Sequence, residues 1–220
     1  MAPAVHPAAA PKPAPAPPRV FTVTLRLGSK GPIVGEVQQR LMWTGLNLHK
    51  TSVFDAATVS AVRKFQGKQG LRVNGRVDST TYKRLVAVTR RGAGLDPRCA
   101  TTGAVLCIDK SQKVLRYLVD GRLMLLIDVR FGSPALPTRE GVFSVYEKSR
   151  YQVSTIYHTP MPYAMFFSGG QAIHYSKYFA AVGYAGNSHG CVNVRSIPAA
   201  AYLFAHVDIG TKVVIYRTTS

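Results

Sequence analysis

Val114-Leu115-Arg116-Tyr117-Leu118-Val119-Asp120-Gly121-Arg122-Leu123-Met124-Leu125-Leu126-Ile127-Asp128-Val129-Arg130-Phe131 reads as two strands joined by a tight turn. The flanks are runs of β-branched and large apolar residues. Asp120-Gly121 stands where a two-residue type I′ turn needs positive φ at both central positions. Working outward, Val105–Ile108 precedes this hairpin, and Gly141–Tyr146, Ala164–Phe167, Ala172–His174 and Lys212–Tyr216 follow it as further short strand-like runs. In this half only Pro198–His206 carries a clear helical pattern. Such a series predicts a mostly antiparallel β-sandwich or open barrel over residues 99–220.

Upstream of the hairpin the period changes from two to that of a helix. Val34, Val37 and Leu41 recur at helical spacing, Asp55 is placed to cap a segment striped with Val59, Val62 and Phe65, and a third segment beginning near Asp78 buries Tyr82, Leu85 and Val86. Three short helices must cover one another to be stable, so these apolar residues are assigned to packing rather than to function. Between the two patterns, Arg90, Arg91, Gly92, Gly94 and Pro97 interrupt both periods. Residues 2–18 hold seven prolines, which favours an extended tether over a core. The chain is therefore read as multidomain: a Pro/Ala-rich linker at 1–20, a small three-helix domain at 21–88, a linker at 89–98 and a β domain at 99–220.

Twenty-eight Lys and Arg against ten Asp and Glu give a formal charge of +18, which calls for an anionic surface or polymer as partner. Both domains are basic, and neither shows a clustered Arg/Lys helix or an aromatic RNA-binding signature. The spread fits an anionic matrix such as a Gram-positive wall and disfavours nucleic acid. No run of 18 apolar residues is present, so no membrane span is expected in this chain. The first residues lack the basic-then-apolar order of a signal peptide, and export through an upstream targeting segment is an inference from the rest of the reading. Cys99, Cys107 and Cys191 make an odd count, which suggests a Cys99–Cys107 disulfide and a free Cys191, and with it an oxidising compartment.

The segment with chemical content is Ala172-Ile173-His174-Tyr175 followed, after a gap, by Ser188-His189-Gly190-Cys191-Val192-Asn193-Val194-Arg195. A nucleophilic cysteine needs a base to form the thiolate, backbone that lets a substrate approach, and amide donors for the oxyanion. His174 ends a strand and Cys191 begins the next structured stretch, so the intervening loop can bring imidazole and sulfur together. The backbone oxygen of Tyr175 is in place to fix the imidazole tautomer. Each residue alone has a plainer reading, a small buried Cys or a structural His. Two His and a Cys are also zinc ligands by type, but no fourth ligand stands at a familiar spacing, so neither a metal nor a cofactor is called for.

His174 together with Ser188-His189-Gly190-Cys191-Val192-Asn193 resembles the signature of L,D-transpeptidases with a YkuD-type catalytic domain. Pro137-Thr138-Arg139-Glu140-Gly141-Val142-Phe143 is similar to that family's Thr-Pro-x-Gly-x-Phe segment, with Arg139 replacing the usual Pro, and the likeness spans about residues 103–217. Residues 25–86 resemble a three-helix peptidoglycan-binding domain. That likeness is carried by Leu27-Gly28-Ser29-Lys30-Gly31, Gln38, Phe54-Asp55, Phe65-Gln66, Gly70-Leu71, Asn74-Gly75-Arg76-Val77 and Thr81-Tyr82, Asn74 standing where Asp is common. The resemblance implies acyl exchange on peptidoglycan: Cys191 attacks the carbonyl between diaminopimelate and terminal D-Ala of a tetrapeptide stem, D-Ala leaves, and an amine of a second stem resolves the thioester into a 3→3 cross-link. It implies a catalytic set of Cys191, His174, His189 and Gly190, in which His174 is acid and base and the amides around His189, Gly190 and Cys191 hold the oxyanion.

Substrate contacts are expected from Ser188 and Tyr175, from Asn193 and Arg195, which alternatively support the Cys191 loop, and from Tyr163, Met165 and Phe167, which alternate on one strand just before His174 and read equally as sheet core. The thiolate is expected to have a lowered pKa and to be open to acylation by a carbapenem. Stem peptides, glycan and anionic wall polymers are the expected partners of a monomeric protein acting outside the cytoplasm at the cell wall. An L,D-carboxypeptidase that passes the acyl group to water, and an inactive wall-binding protein, are the alternatives. A cysteine endopeptidase of the NlpC kind is disfavoured because there the Cys precedes its His. The two domains are expected to have separable roles, binding in 21–88 and chemistry in 99–220.

Overall fold

The computed structural model describes residues 24–89 and 95–218; the 1–20 tether and the centre of the 89–98 linker lie outside the described residues. The first unit consists of α1 (Pro32–Trp43), α2 (Ala56–Gln69) and α3 (Ser79–Val88). Pro32 opens α1 where a missing N–H removes no helix bond. Asp55 and Asp78 cap the next two helices, accepting the amides of Thr58 at 2.8 Å and Thr81 at 2.7 Å. The helices close around Val34, Val37, Leu41, Val62, Phe65 and Leu85, while Val59 and Val86 sit partly buried at the edge of this core.

The second unit contains β1 (Ala104–Asp109), β2 (Val114–Val119), β3 (Arg122–Arg130), β4 (Gly141–Ser144), β5 (Glu147–Val153), β6 (Pro160–Ser168), β7 (Gln171–Tyr175), β8 (Val192–Val194) and β9 (Lys212–Tyr216). Asp120 and Gly121 join β2 to β3 with φ of 48° and 76°, the left-handed pair that the sequence demands. The strands form one curled sheet in the order β4-β9-β1-β2-β3-β8-β7-β6-β5. It is an open half-barrel and not a two-sheet sandwich, and it is mixed: β1 runs parallel to β9, and β7 parallel to β8. A parallel neighbour requires a long crossover. The β7–β8 crossover holds α4 (Lys177–Val182), which the sequence pattern does not announce, and β5 and β8 are likewise additions to the strands read from sequence.

Leu106, Ile108, Leu115, Val129, Met165 and Ile173 pack on one face of the sheet with Ala200 and Leu203 of α5 (Ile197–His206). Each fully buried aliphatic side chain of this kind contributes roughly 2 kcal/mol. Cys99 and Cys107 are bonded, their Cα atoms 6.0 Å apart, which ties the chain entering this unit to β1; Cys191 is unpaired. The two units touch: Arg116 donates to the carbonyl of Trp43 at 3.0 Å and Gln69 to that of Ser111 at 3.1 Å. Among the described residues, no helix is long and apolar enough to cross a membrane.

Candidate active site

The parallel pairing of β7 with β8 puts His174 directly opposite Asn193 and Ile173 opposite Val192. Cys191, the residue before β8, thereby comes to lie beside β7, where its sulfur accepts the Ala172 amide at 3.4 Å. His174 and Cys191 both line a cleft of about 1010 Å³, together with Ser188, His189, Tyr175 and Asn193. Its walls come from the β5–β6 connection, the crossover and the loop before β4.

His174 is held at both ring nitrogens. Nδ1 lies 2.7 Å from the Tyr175 carbonyl, an acceptor only, so Nδ1 carries the proton of the neutral ring. Nε2 is then an acceptor, and the Asn193 carboxamide donates to it at 3.0 Å. Arg130 donates in turn to Asn193 Oδ1 at 3.1 Å, which fixes the orientation of that amide, and to the Gly183 carbonyl at 3.0 Å. No hydrogen bond joins the sulfur to the imidazole among the described residues; each is engaged by its own backbone or side-chain partner.

Burial sets the protonation of the pair. It pushes the imidazolium of His174 down to about 4; the Tyr175 carbonyl opposes this and the nearby Arg130 charge adds to it. The Cys191 thiol is pushed up by burial, with the Ala172 amide acting the other way. Both shifts favour a neutral thiol beside a neutral imidazole, so the resting site does not carry the low-pKa thiolate expected from sequence.

The remaining sequence-selected residues divide by location. Ser188 is buried and turned inward, donating to the Cys191 carbonyl at 2.6 Å and accepting the Gly190 amide at 3.2 Å, so it shapes the turn. Gly190 has φ of 112°, and a Cβ there would stand 2.6 Å from the Gln171 side-chain nitrogen, two reasons for glycine at this step. His189 is exposed and stacks on Tyr157 with ring centroids 3.8 Å apart. Asn193 is committed to His174 and Arg130. Arg195 pairs with Asp128 and does not line the cleft.

Tyr163, Met165 and Phe167 face the core side of β6, Met165 and Phe167 within the main cluster and Tyr163 against it. Tyr163, with φ of 59°, breaks the alternation, so Met161 lines the cleft, and Met161, Ala164, Phe166 and Ala172 form the small apolar cluster against which Cys191 packs. Of the two readings the sequence leaves open for Tyr163, Met165 and Phe167, sheet core is the one the structure bears out. Arg130, Gln171, Tyr157 and Met161 are among the cleft residues that the sequence does not single out. A guanidinium at the end of the apolar run Leu123–Phe131 was the one visible signal, since a charge there is buried and needs a partner.

Residues 103–215 match the family of YkuD L,D-transpeptidase catalytic domains, and residues 30–85 match a family of peptidoglycan binding domains. No curated protein matches the chain. Among solved structures, an L,D-transpeptidase from Xylanimonas cellulosilytica is 31% identical, with 91% of this chain and 99% of that one covered and a TM-score of 0.52. An L,D-transpeptidase from Stackebrandtia nassauensis shares the fold at 21% identity, with 92% and 100% covered and a TM-score of 0.57. The catalytic-domain match spans half of the chain and the Xylanimonas likeness nearly all of it; the chain belongs to the YkuD L,D-transpeptidase family, with a peptidoglycan-binding domain in front of the catalytic one.

Proposed function

We propose that this chain cross-links peptidoglycan stems through a thioester on Cys191. The observation that carries the reading is the His174 tautomer: with its proton held on Nδ1 by the Tyr175 carbonyl, the neutral ring offers Nε2 as a base beside the strand that Cys191 precedes. As the sulfur attacks the carbonyl between diaminopimelate and D-Ala, its proton passes to Nε2, which gives up the Asn193 hydrogen bond. The D-Ala nitrogen takes that proton as it leaves, and the donor stem stays on sulfur as a thioester. An amine of a second stem then attacks, again losing its proton to Nε2, and the thiol is restored. Because the Gly190 amide is engaged by Ser188, the amides of His189 and Cys191 are the donors assigned to the oxyanion.

The three-helix domain would hold the enzyme on stem peptides and glycan, and the +18 charge would add attraction to anionic wall polymers. The protein is read as a monomer acting outside the cytoplasm at the wall, and the 21–88 and 99–220 boundaries are kept as its two units. Mass spectrometry of muropeptides after incubation with the purified protein tests the proposal. New 3→3 cross-linked dimers with free D-Ala are expected. Tripeptide stems without dimers would make it an L,D-carboxypeptidase, and an unchanged digest would leave a wall-binding protein.

A further inference from the structure

Lys68, on the last turn of α2, is almost fully buried although it belongs to the wall-binding domain, and what buries it is the catalytic domain. Its ammonium donates to Asp128 Oδ1 of β3 at 2.6 Å and to the Thr44 carbonyl at 3.2 Å. The other oxygen of Asp128 holds Arg195, just beyond β8. Asp128 lies two residues before Arg130 on β3, and Arg195 two residues beyond Asn193; Arg130 and Asn193 are paired in register, so Asp128 and Arg195 continue the face of the residues that hold His174.

A second line of contact runs beside the first. The Tyr184 ring takes the Lys113 ammonium at 4.9 Å and that of Lys68 at 5.9 Å, and the Arg195 guanidinium lies 6.0 Å from it. Arg195 also lies 5.6 Å from the Phe179 ring, and Arg130 lies 5.0 Å from both Phe179 and Tyr178. Cations and rings thus alternate from the binding domain to the cleft, each within the range of a cation–π contact. Lys113 is fastened to the Lys68 carbonyl as well. Tyr178, Phe179 and Tyr184 all belong to the crossover that runs directly into Ser188 and the Cys191 turn.

We propose that Lys68 is a positioning residue for the reacting pair: through Asp128, Arg195 and Tyr184 it fixes the crossover and the β3–β8 ladder, so the wall-binding domain is a structural part of the catalytic site. This rests on the reading that Cys191 and His174 react, and it replaces the separable domains expected from sequence. Lys68 lies outside the cleft, so its loss should change the rate of chemistry and not the affinity for a small soluble substrate.

The test uses the full chain and its Lys68→Met and Tyr184→Leu variants, each checked for cooperative melting above the assay temperature. Two readouts are taken: alkylation of Cys191 by iodoacetamide, and kcat and KM on a soluble tetrapeptide stem. For directly coupled side chains a fall of about tenfold in alkylation rate and kcat is expected, with KM within about twofold of wild type. Tyr184→Leu introduces no buried charge and keeps the test open if Lys68→Met does not fold. A folded variant of either kind with wild-type alkylation and kcat would overturn the proposal. If the wild-type protein turns over no stem, the enzymatic reading fails while the alkylation comparison still decides the coupling.

Discussion

Both domains bury polar side chains, and they do so in opposite ways. In the helical domain, the Gln38 carboxamide reaches Thr51 Oγ1, the Val53 carbonyl and Thr58 Oγ1 through nitrogen and receives the Thr51 and Ser52 amides on oxygen. Gln66 repeats the arrangement one helix later, with Asn74 Oδ1, the Arg76 carbonyl and Thr81 Oγ1 on nitrogen and the Asn74 and Gly75 amides on oxygen. Each glutamine clamps a loop to the start of the next helix and leaves no polar atom over. In the catalytic domain the row Arg130–Asn193–His174 is incomplete. Arg130 Nε is buried without a partner among the described residues, and the only hydrogen bond at His174 Nε2 is one a proton transfer can displace. A saturated hub has nothing to gain from moving and serves stability; in the other, the His174 Nε2 lone pair is held by one displaceable donor.

The comparison breaks most visibly if chemistry does not reside in the unsaturated hub. Cys191→Ala is expected to abolish the mass adduct formed with a carbapenem. His174→Ala should slow acylation by about 10²–10⁴-fold, the usual cost of a positioned acid–base group. A Cys191→Ala protein that still exchanges D-Ala would place the site elsewhere. For the saturated hub the expected loss is of stability instead. Gln38→Leu keeps the volume but orphans buried donors and acceptors, at a cost of about 3–5 kcal/mol in denaturant titration. Below its transition the variant should alkylate at Cys191 like wild type, and a matching fall in both measurements would erase the distinction.

What could be read from sequence follows the same division. The caps at Asp55 and Asp78, the helical stripes and the Asp120-Gly121 turn depend on neighbours a few residues away, so residue type and spacing specify them. The Cys–His signature was legible as a motif, but its geometry depends on the β7–β8 parallel pairing, which spans the crossover and leaves no local period. That is why the sequence leaves Asn193 and Arg195 open between loop support and substrate contact, whereas sheet register sends one to His174 and the other to Asp128. For Tyr163, Met165 and Phe167 the sequence leaves cleft lining and sheet core equally open, because an alternating strand has two faces and sequence does not say which one meets the cleft; the structure puts them in the core. Lys68 gave no signal at all, because a lysine on an amphipathic helix is ordinarily solvated and only the second domain buries it.

Protonation offers a sharper probe. The folded pKa of His174, about 4, lies below its ordinary 6.5, so between those values the unfolded chain binds the proton and the native one does not. Native stability should therefore be undiminished by this group above pH 6.5 and fall as pH drops towards 4, by about 3 kcal/mol in all. In His174→Gln that part of the slope should disappear. An unchanged slope between pH 6.5 and 4 would mean that the ring is not held neutral in the native state.

The smallest expected effect concerns Arg130, and it tests whether the row acts as a unit. Arg130 touches neither the thiol nor the ring directly; it acts by orienting Asn193 and by placing a positive charge near His174. In Arg130→Met the charge is gone and Asn193 Oδ1 loses its donor. The acid limb of the acylation rate should therefore stay near 4 or move up only slightly, because burial, the larger cause of the low His174 value, remains when the Arg130 charge is removed. At neutral pH the rate should fall by about tenfold, the cost of roughly one charge-assisted hydrogen bond holding the amide in line. Asn193→Ala should show a comparable rate loss, and the double variant should be little worse than either single one, since both remove the same orientation of the base. Additive losses would mean that Arg130 supports the sheet alone and that Asn193 holds His174 without it.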